Sequence, residues 1–417
     1  MSRTRVRPLT CMPTRWEGWD VNEHDILVVG GGIGGIATAL ALGLAGHTVH
    51  LTEQAPAFSE IGAGLQLGPN AIRSFDRLGV WSSLKKLAVT PRSALIMHAV
   101  TGERLTRIDY GAPFTEHYGY PYVVAHRHDV LNQLLAAAEA APTVTLETGR
   151  WVETVSEGPD GAAVTFADGS STTARVVVGA DGIRSRTRLL HDDSEPLFTG
   201  QVAFRGTVPM ADIQLDVDPT DMILWIGPNR HLIQYPVRGG DLYNLVAVME
   251  SHWAAAGRDD WGSREELDEV YADSCEPVKK ALSLFDNHKP WPIYDRDPLP
   301  GWSTDHTVLI GDAAHAMRQY LAQGACQALE DALVLAQELT RTPGRPREAF
   351  TRYEGRRLEL ATKCQEVARP WGDLWHTLDN TTQVLRDKYF RLRADDDYSE
   401  FDWLYCDNVG SGVPHLS

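Results

Sequence analysis

The chain has 417 residues, of which 43% are hydrophobic and 23% are charged, as in ordinary globular proteins. This composition excludes a disordered, collagen-like or coiled-coil chain, and the length is enough for two or three domains. Acidic residues number 56 and basic residues 39, a formal charge of −17. Because an acidic surface repels phosphate backbones, nucleic acid is not expected as a partner.

Five widely spaced cysteines without a CxxC pair argue against a disulfide framework or a zinc site, and we expect no bound metal. A cytoplasmic location is predicted, since reducing compartments hold such cysteines as thiols. No run approaches 18 apolar residues, so no membrane span is predicted. Residues 1–24 carry several arginines without an apolar segment behind them, which indicates a flexible extension and not a secretory signal.

The first predicted element is a buried strand over 25–30, followed by a helix and a second strand that ends at Glu53. The turn between strand and helix contains Gly30, Gly32 and Gly35 in the spacing GxGxxG. The first glycine permits a tight turn, the second lets the backbone approach a pyrophosphate, and the third lets helix and strand pack closely. Glu53 can then accept hydrogen bonds from ribose hydroxyls. The pattern predicts a dinucleotide site but does not separate FAD from NAD.

The middle of the chain first continues this alternation and then changes to consecutive strands. Residues 61–89 are expected to be glycine-rich and then helical, and 93–110 to form sheet. The further predictions are a helix over 129–141, strands over 144–147, 151–157, 162–166 and 175–179, and a hairpin turn at 168–169. From 201 to 302 the strands are 202–208, 222–226, 231–237 and 242–250, followed by a helix over 264–285. A buried strand over 307–311 and a helix over 324–339 come next. We therefore predict an α/β fold in which a Rossmann-like domain carries an inserted antiparallel sheet.

Two further strand ends carry acids. Asp181 follows the strand 175–179 in an Asp-Gly turn, and Asp312 follows the strand 307–311. The helix that begins at Gly324 and Ala325 offers free N–H groups and a positive dipole end. His315, in the loop between them, is expected to be a packed loop residue.

These three motifs, in this order, resemble those of the single-component flavoprotein aromatic hydroxylases, the class A FAD monooxygenases, over about 25–368 of the chain. The resemblance implies that the protein binds FAD and uses NADH or NADPH and O2 as co-substrates. It also implies that O2 adds at flavin C4a to give a hydroperoxide, which transfers OH to an aromatic ring. It also implies a Rossmann-like FAD-binding domain at 25–92, 111–200 and 303–345, a substrate-binding sheet domain at 93–110 and 201–302, and C-terminal helices and a tail at 346–417. The FAD-contacting residues that it implies are Gly30, Gly32, Gly34, Gly35, Glu53, Gly64, Arg127, Asp181, Asp312, Gly324 and Ala325.

The substrate residues point to the 3-hydroxybenzoate branch of that family, which hydroxylates at C6 to give gentisate. His231 and Tyr235 lie on the same face of one predicted strand, so both can contact one ligand. Gln319 follows the Asp312 motif where many members have proline. By resemblance, His231, Tyr235 and Gln319 are the catalytic and substrate-contacting residues. Ala316 and Ala322 depart from the common family pattern, which has proline and glycine there.

The same motifs are compatible with other substrates and other classes of protein. Salicylate, a hydroxynicotinate or a larger phenolic metabolite is an alternative substrate, and a flavoprotein reductase or dehydrogenase without oxygen insertion is an alternative enzyme. A non-catalytic FAD-binding protein is a third. A homodimer is expected. FAD, NADH and a benzoate are all anions, so this acidic chain must supply local positive potential, for which the candidates are the helix starts at Gly32 and Gly324 and the side chains of Arg127, Arg184 and Arg186.

Overall fold

The computed structural model describes residues 24–59, 64–213, 218–285 and 289–410. The predicted N-terminal extension over residues 1–24 lies outside the described residues except for its last residue, His24, which begins the first strand. The strands are β1 His24–Val29, β2 Val49–Thr52, β3 Gly64–Leu67, β4 Ser93–His98, β5 Arg104–Asp109, β6 Val123–His126, β7 Val144–Glu147, β8 Val152–Glu157, β9 Ala162–Phe166, β10 Ser171–Gly179, β11 Leu197–Pro209, β12 Met222–Gly227, β13 Arg230–Val237, β14 Leu242–Glu250, β15 Trp291–Asp295 and β16 Thr307–Leu309.

The helices are α1 Ile33–Leu44, α2 Pro69–Arg77, α3 Trp81–Leu84, α4 Ala112–Tyr118, α5 Arg127–Ala140, α6 His252–Ala255, α7 Arg264–Val270, α8 Glu276–Leu282, α9 Asp312–His315, α10 Gly324–Arg341, α11 Pro346–His376, α12 Asn380–Leu392 and α13 Asp402–Tyr405. None of the helices in the described part of the chain is both long and apolar enough to span a membrane.

The first sheet confirms the predicted Rossmann-like architecture. Its strand order is β7-β2-β1-β10-β9-β8, with β16 also paired to β10. β7, β2, β1, β10 and β16 run parallel. In this sheet β2 lies on one side of β1 and β10 lies on the other. The strand order therefore reverses at β1. Ligands of such sheets bind in the crevice at that point.

The second sheet has the order β15-β11-β14-β13-β12-β4-β5. Neighbouring strands are antiparallel except β12 and β4, which are parallel. This parallel pair departs from the purely antiparallel sheet predicted from the sequence. It arises because the chain enters this sheet twice, first as the hairpin β4–β5 and again from β11 onward.

Alternation along β12 distributes side chains to the two faces of the second sheet. Ile223 and Trp225 pack with Leu267 of α7 and Val278 of α8. The other face carries Leu224 and Ile226, which pack with Tyr320, Trp375 and Phe390. Helices α7 and α8 therefore cover one face, and the C-terminal helices cover the face that looks toward the first sheet.

Two local predictions need correction. The expected glycine-rich and helical segment over 61–89 includes strand β3, which pairs with β6 in a two-stranded sheet. The single helix expected over 264–285 is two helices, α7 and α8, separated by 271–275. Pro277 lies in the first turn of α8, where its missing N–H costs nothing, whereas inside a continuous helix it would break the hydrogen-bond ladder.

Candidate active site

A cavity of about 980 Å³ lies where the two sheets and the C-terminal helices meet. Ten of the residues predicted from the sequence line it: Gly32, Gly34, Gly64, Arg127, His231, Tyr235, Asp312, Gln319, Gly324 and Ala325. The structure therefore brings together residues that are up to 293 positions apart in the chain, from Gly32 to Ala325.

The glycine turn is packed too closely for side chains. A Cβ on Gly30, where φ is +109°, would lie 2.4 Å from the carbonyl oxygen of Ala180, and a Cβ on Gly35 would lie 1.9 Å from that of Gly30. Helix α1 begins after Gly32 without a side-chain cap and with no acidic residue in its first turn. Its N–H groups are thus available to an anionic ligand in the cavity. Gly30 and Gly35 permit this packing and do not themselves line the cavity.

Glu53 and Asp181 flank the turn, and both carboxylates bond to backbone N–H groups. Glu53 accepts from Gly31 at 2.7 Å and from Ala55 at 2.8 Å. Asp181 accepts from Arg186 N at 2.7 Å and from the Ser185 hydroxyl at 2.5 Å, and burial raises the pKa of its carboxyl. Neither side chain lines the cavity, so their FAD contacts remain predictions.

Asp312 and the start of α10 form the opposite wall. The Asp312 side chain is exposed to the cavity, and a Cβ on Gly324 would lie 3.7 Å from its Oδ1. Helix α10 has no side-chain cap at Gln323 and no acid in its first turn. An acceptor for hydroxyl groups and an uncapped helix N-terminus therefore lie side by side.

His315 is packed, as we expected, but it is the last residue of the short helix α9 and does not lie in a loop. It is fully buried, and its Nε2 lies 2.6 Å from Oδ2 of Asp331. Arg357 bonds to the other oxygen of Asp331 at 2.8 Å and also pairs with Glu330. This buried ionic cluster anchors the Asp312 loop to α10 and α11.

His231 and Tyr235 point from β13 into the cavity and are each 2% exposed. Burial, together with the neighbouring His376, holds the pKa of His231 well below its ordinary value of 6.5, so the ring is a neutral base at neutral pH. Burial raises the pKa of Tyr235, which is therefore a hydrogen-bonding phenol and not a phenolate.

Several cavity-lining side chains have buried donors without a hydrogen-bond partner among the described residues. They include Nε2 of Gln319 and Nε of Arg205. An unpaired buried donor is costly, so each of these two indicates a ligand atom that accepts a hydrogen bond. The sequence reading missed Arg205, although a lone arginine inside the apolar strand 202–208 was a visible signal. Burial and the charge of Arg127 lower the pKa of Arg205.

Positive potential in the cavity comes only in part from the groups that we expected. Arg127 and Arg205 line it with the two helix starts, whereas Arg184 and Arg186 are exposed and do not line it. Residues from the C-terminal tail also contribute to the lining, among them Phe401, Trp403 and Tyr405. No sequence motif indicated that the tail folds back over the site.

The hydrogen-bond donors that line the cavity and the closely packed glycine turn fit bound FAD. The closely packed turn at Gly30 and the uncapped helix α1 suit a pyrophosphate, and Asp312 with the start of α10 suits the ribityl and isoalloxazine portions. The fold and this site together define a flavoprotein with a Rossmann-like nucleotide-binding domain.

The chain belongs to the family described as "FAD binding domain", whose model matches residues 23–368. It is 36% identical to a 3-hydroxybenzoate 6-hydroxylase of Klebsiella oxytoca, over 91% of this chain and 96% of that one. It is 35% identical to the 3-amino-4-hydroxybenzoate 2-monooxygenase PtnB3 of Streptomyces platensis, over 91% of this chain and 95% of that one.

Among solved structures, Klebsiella pneumoniae HpxO complexed with FAD and uric acid has a similar fold. The TM-score is 0.80 at 24% identity, and the match covers 95% of this chain and 99% of that one. The chain is thus a flavin-dependent aromatic monooxygenase that uses FAD, NAD(P)H and O2 on a small aromatic substrate. These findings confirm the predicted family, cofactor and enzyme class.

Proposed function

We propose that the protein hydroxylates a phenolic aromatic carboxylate, with 3-hydroxybenzoate as substrate, gentisate as product and NADH as electron donor. The observation that carries this proposal is the set of groups in one cavity: a neutral buried histidine, His231, beside the unpaired donors of Gln319 and Arg205. A base for a phenol and donors for a carboxylate are what such a substrate needs. The 36% identity to a 3-hydroxybenzoate 6-hydroxylase supports the same substrate.

The chemistry divides between cofactor and protein. Bound FAD supplies the redox chemistry, which is reduction by the nicotinamide and activation of O2. The protein makes the ring electron-rich. A phenolate is a better nucleophile than a phenol, and His231 is placed to take the phenol proton. Tyr235, whose pKa is raised by burial, donates a hydrogen bond. Gln319, whose Nε2 is an unpaired buried donor in the cavity, would bind the substrate carboxylate and so orient the ring.

The 3-amino-4-hydroxybenzoate enzyme, at 35% identity, is the observation that favours a second candidate substrate of related chemistry. Salicylate and hydroxynicotinates should be tested as substrates in the same assay. A purified holoenzyme should form one hydroxylated product for each NADH and O2 consumed only with the true substrate, whereas uncoupled turnover releases H2O2 instead. NADH oxidation without an oxygenated product would favour the reductase, and no NADH oxidation with any substrate would favour a binding protein.

His231→Ala tests the proposed base directly. We expect full FAD content and loss of most hydroxylation, on the order of 100-fold or more in kcat, as is usual when a general base is removed. His252→Ala is the matched control, because His252 is half-exposed on α6 and pairs with Glu266 and Glu269 away from the cavity. Normal turnover by His231→Ala would overturn the assignment.

We also propose that the protein is located in the cytoplasm and forms a homodimer. The free thiols of Cys275, Cys326, Cys364 and Cys406 support a reducing compartment. Cell fractionation would test the location, and light scattering of the purified holoenzyme would test the dimer. A disulfide in the isolated protein or a monomeric mass would contradict the respective statement.

A further inference from the structure

A line of three hydrogen-bonded side chains leads from the cavity to the surface. His231 Nδ1 lies 2.7 Å from His376 Nε2, and His376 Nδ1 lies 3.2 Å from Glu250 Oε1. Both imidazoles are 2% exposed, whereas the side chain of Glu250 is 43% exposed. The three residues come from β13, α11 and β14, so no local sequence pattern brings them together.

The carboxylate at one end gives this line a direction. Glu250 accepts, so His376 must carry its proton on Nδ1 and present the lone pair of Nε2. His231 must then carry its proton on Nδ1, which leaves the lone pair of its Nε2 for a ligand. The arrangement therefore prepares His231 to accept a proton on Nε2 while it gives one up from Nδ1.

We propose that His376 and Glu250 form a proton path from His231 to solvent, a role that rests on the proposed hydroxylation of a phenol. The phenol O–H bond breaks and its proton binds Nε2 of His231. The Nδ1 proton of His231 passes to Nε2 of His376, and the Nδ1 proton of His376 passes to Glu250 and then to water. The net change is one phenol to one phenolate and one proton released, and transfer in the reverse direction restores both tautomers.

Burial explains why His231 needs such a path. A protonated imidazole is poorly solvated at this depth, which is also why the pKa of His231 lies well below its ordinary value. Burial lowers the pKa of His376 as well, and Glu250 opposes that effect. The hydrogen bond from His376 lowers the pKa of Glu250, so this carboxylate is ionised and ready to accept at neutral pH.

Few charged groups act on His376, and a neighbouring side chain holds Glu250 in position. The charged groups that act on His376 are Glu250 from β14, Asp373 from α11 and Arg318 from the loop before α10. Gln201 holds Glu250 by a side-chain hydrogen bond and accepts one from the Tyr320 hydroxyl at 2.8 Å. Since an amide does not readily pass protons, we assign Gln201 a positioning role.

The test is one turnover of reduced holoenzyme mixed with O2 and 3-hydroxybenzoate, followed as product formation between pH 6 and 9. We expect Glu250→Gln and His376→Gln each to slow hydroxylation about tenfold or more near neutral pH and to make its rate rise with pH, as loss of a proton acceptor requires. The double variant should be no slower than the slower single variant, because both changes interrupt one path.

Asp373→Asn is the matched control. It removes a negative charge that acts on His376, from a side chain that is 70% exposed, and leaves all three hydrogen-bonded groups intact. It should keep the wild-type pH profile. Flavin content is measured for every variant, and because Glu250 lies at the surface, Glu250→Gln is expected to fold even where His376→Gln does not.

Two failures can be told apart. If the wild-type holoenzyme hydroxylates no phenol at all, the proposed function falls, and the proton path falls with it. If the wild-type enzyme does hydroxylate but Glu250→Gln keeps its rate and pH profile, only the path is overturned. Additive losses in the double variant would overturn it as well.

Discussion

The backbone of Gly64 lies directly against the ring of Tyr235. A Cβ on Gly64 would be 2.4 Å from Cε2 of that ring, and Gly64 N donates to Asn244 Oδ1 at 2.8 Å. Gly64, predicted to contact FAD, is thus packed against Tyr235, predicted to contact the substrate.

Gly64→Ala should therefore disturb the substrate site. The new methyl group must displace Tyr235, and we expect a higher KM for the aromatic substrate and a loss of about tenfold in hydroxylation per NADH oxidised, the usual effect of a misplaced reactant. Steady-state kinetics with product quantification measures both. Unchanged coupling would show that the Tyr235 ring can move without consequence.

Gly355→Ala is the control for a glycine substitution. Gly355 lies exposed within α11, and a methyl group added to it would meet no described atom within 4 Å beyond its own helix backbone. We expect unchanged kinetics and a gain of roughly 0.5–1 kcal/mol in unfolding free energy from the better helix propensity of alanine. Chemical denaturation of the two variants side by side separates a local effect at Tyr235 from a general one.

Glu53→Ala should weaken FAD binding. Its carboxylate holds the N–H groups of Gly31 and Ala55, and charge-assisted bonds of this kind contribute about 1.5–3 kcal/mol each. We expect at least a tenfold rise in the Kd for FAD, measured by ultrafiltration and flavin fluorescence. Glu147→Ala is the control, because Glu147 lies on the neighbouring strand β7 and pairs with His50 and Arg150. Equal FAD loss in both variants would contradict a specific role for Glu53.

Asp331 should make the fold sensitive to acid. Burial alone would raise its pKa, but His315 and Arg357 lower it from 3.8 to about 2. A depressed pKa stabilises the folded state above pH 4, and this contribution, about 2 kcal/mol, is lost as the pH falls from about 4 to 2. Asp331→Asn should be less stable at pH 7 and lose less stability over that acid range.

Asp305→Asn is the comparison for Asp331→Asn. Asp305 is 62% exposed and pairs with Arg347, which is 80% exposed. Its loss should change the unfolding free energy by less than about 0.5 kcal/mol, as is usual for surface sites. Thermal unfolding from pH 2 to 7 tests both variants. Equal acid sensitivity in wild type and Asp331→Asn would mean that other carboxyls control acid unfolding.

The sequence predicted what depends on short-range patterns. The glycine turn, the strand that precedes Glu53 and the strand that carries His231 and Tyr235 are local features with a fixed period, and the structure forms them at the predicted positions. His376 lies 145 residues from His231, and only the fold of the second sheet against α11 brings them into contact. The short β3–β6 pair was missed for a similar reason, since its partners are 56 or more residues apart.

Ala322→Gly should stabilise the protein, because Ala322 stands where the family commonly has glycine. Ala322 adopts φ +52° and ψ +35° in the turn between Gln319 and α10. A left-handed residue with a Cβ costs about 1–2 kcal/mol, and glycine loses roughly 0.5–1 kcal/mol more backbone entropy. We expect the variant to be about 0.5–1 kcal/mol more stable, with its flavin retained. Ala136→Gly, at an exposed position within α5, should show the opposite sign, a loss of about 1 kcal/mol. Destabilisation of both variants by equal amounts would mean that the backbone at Ala322 is not left-handed in solution.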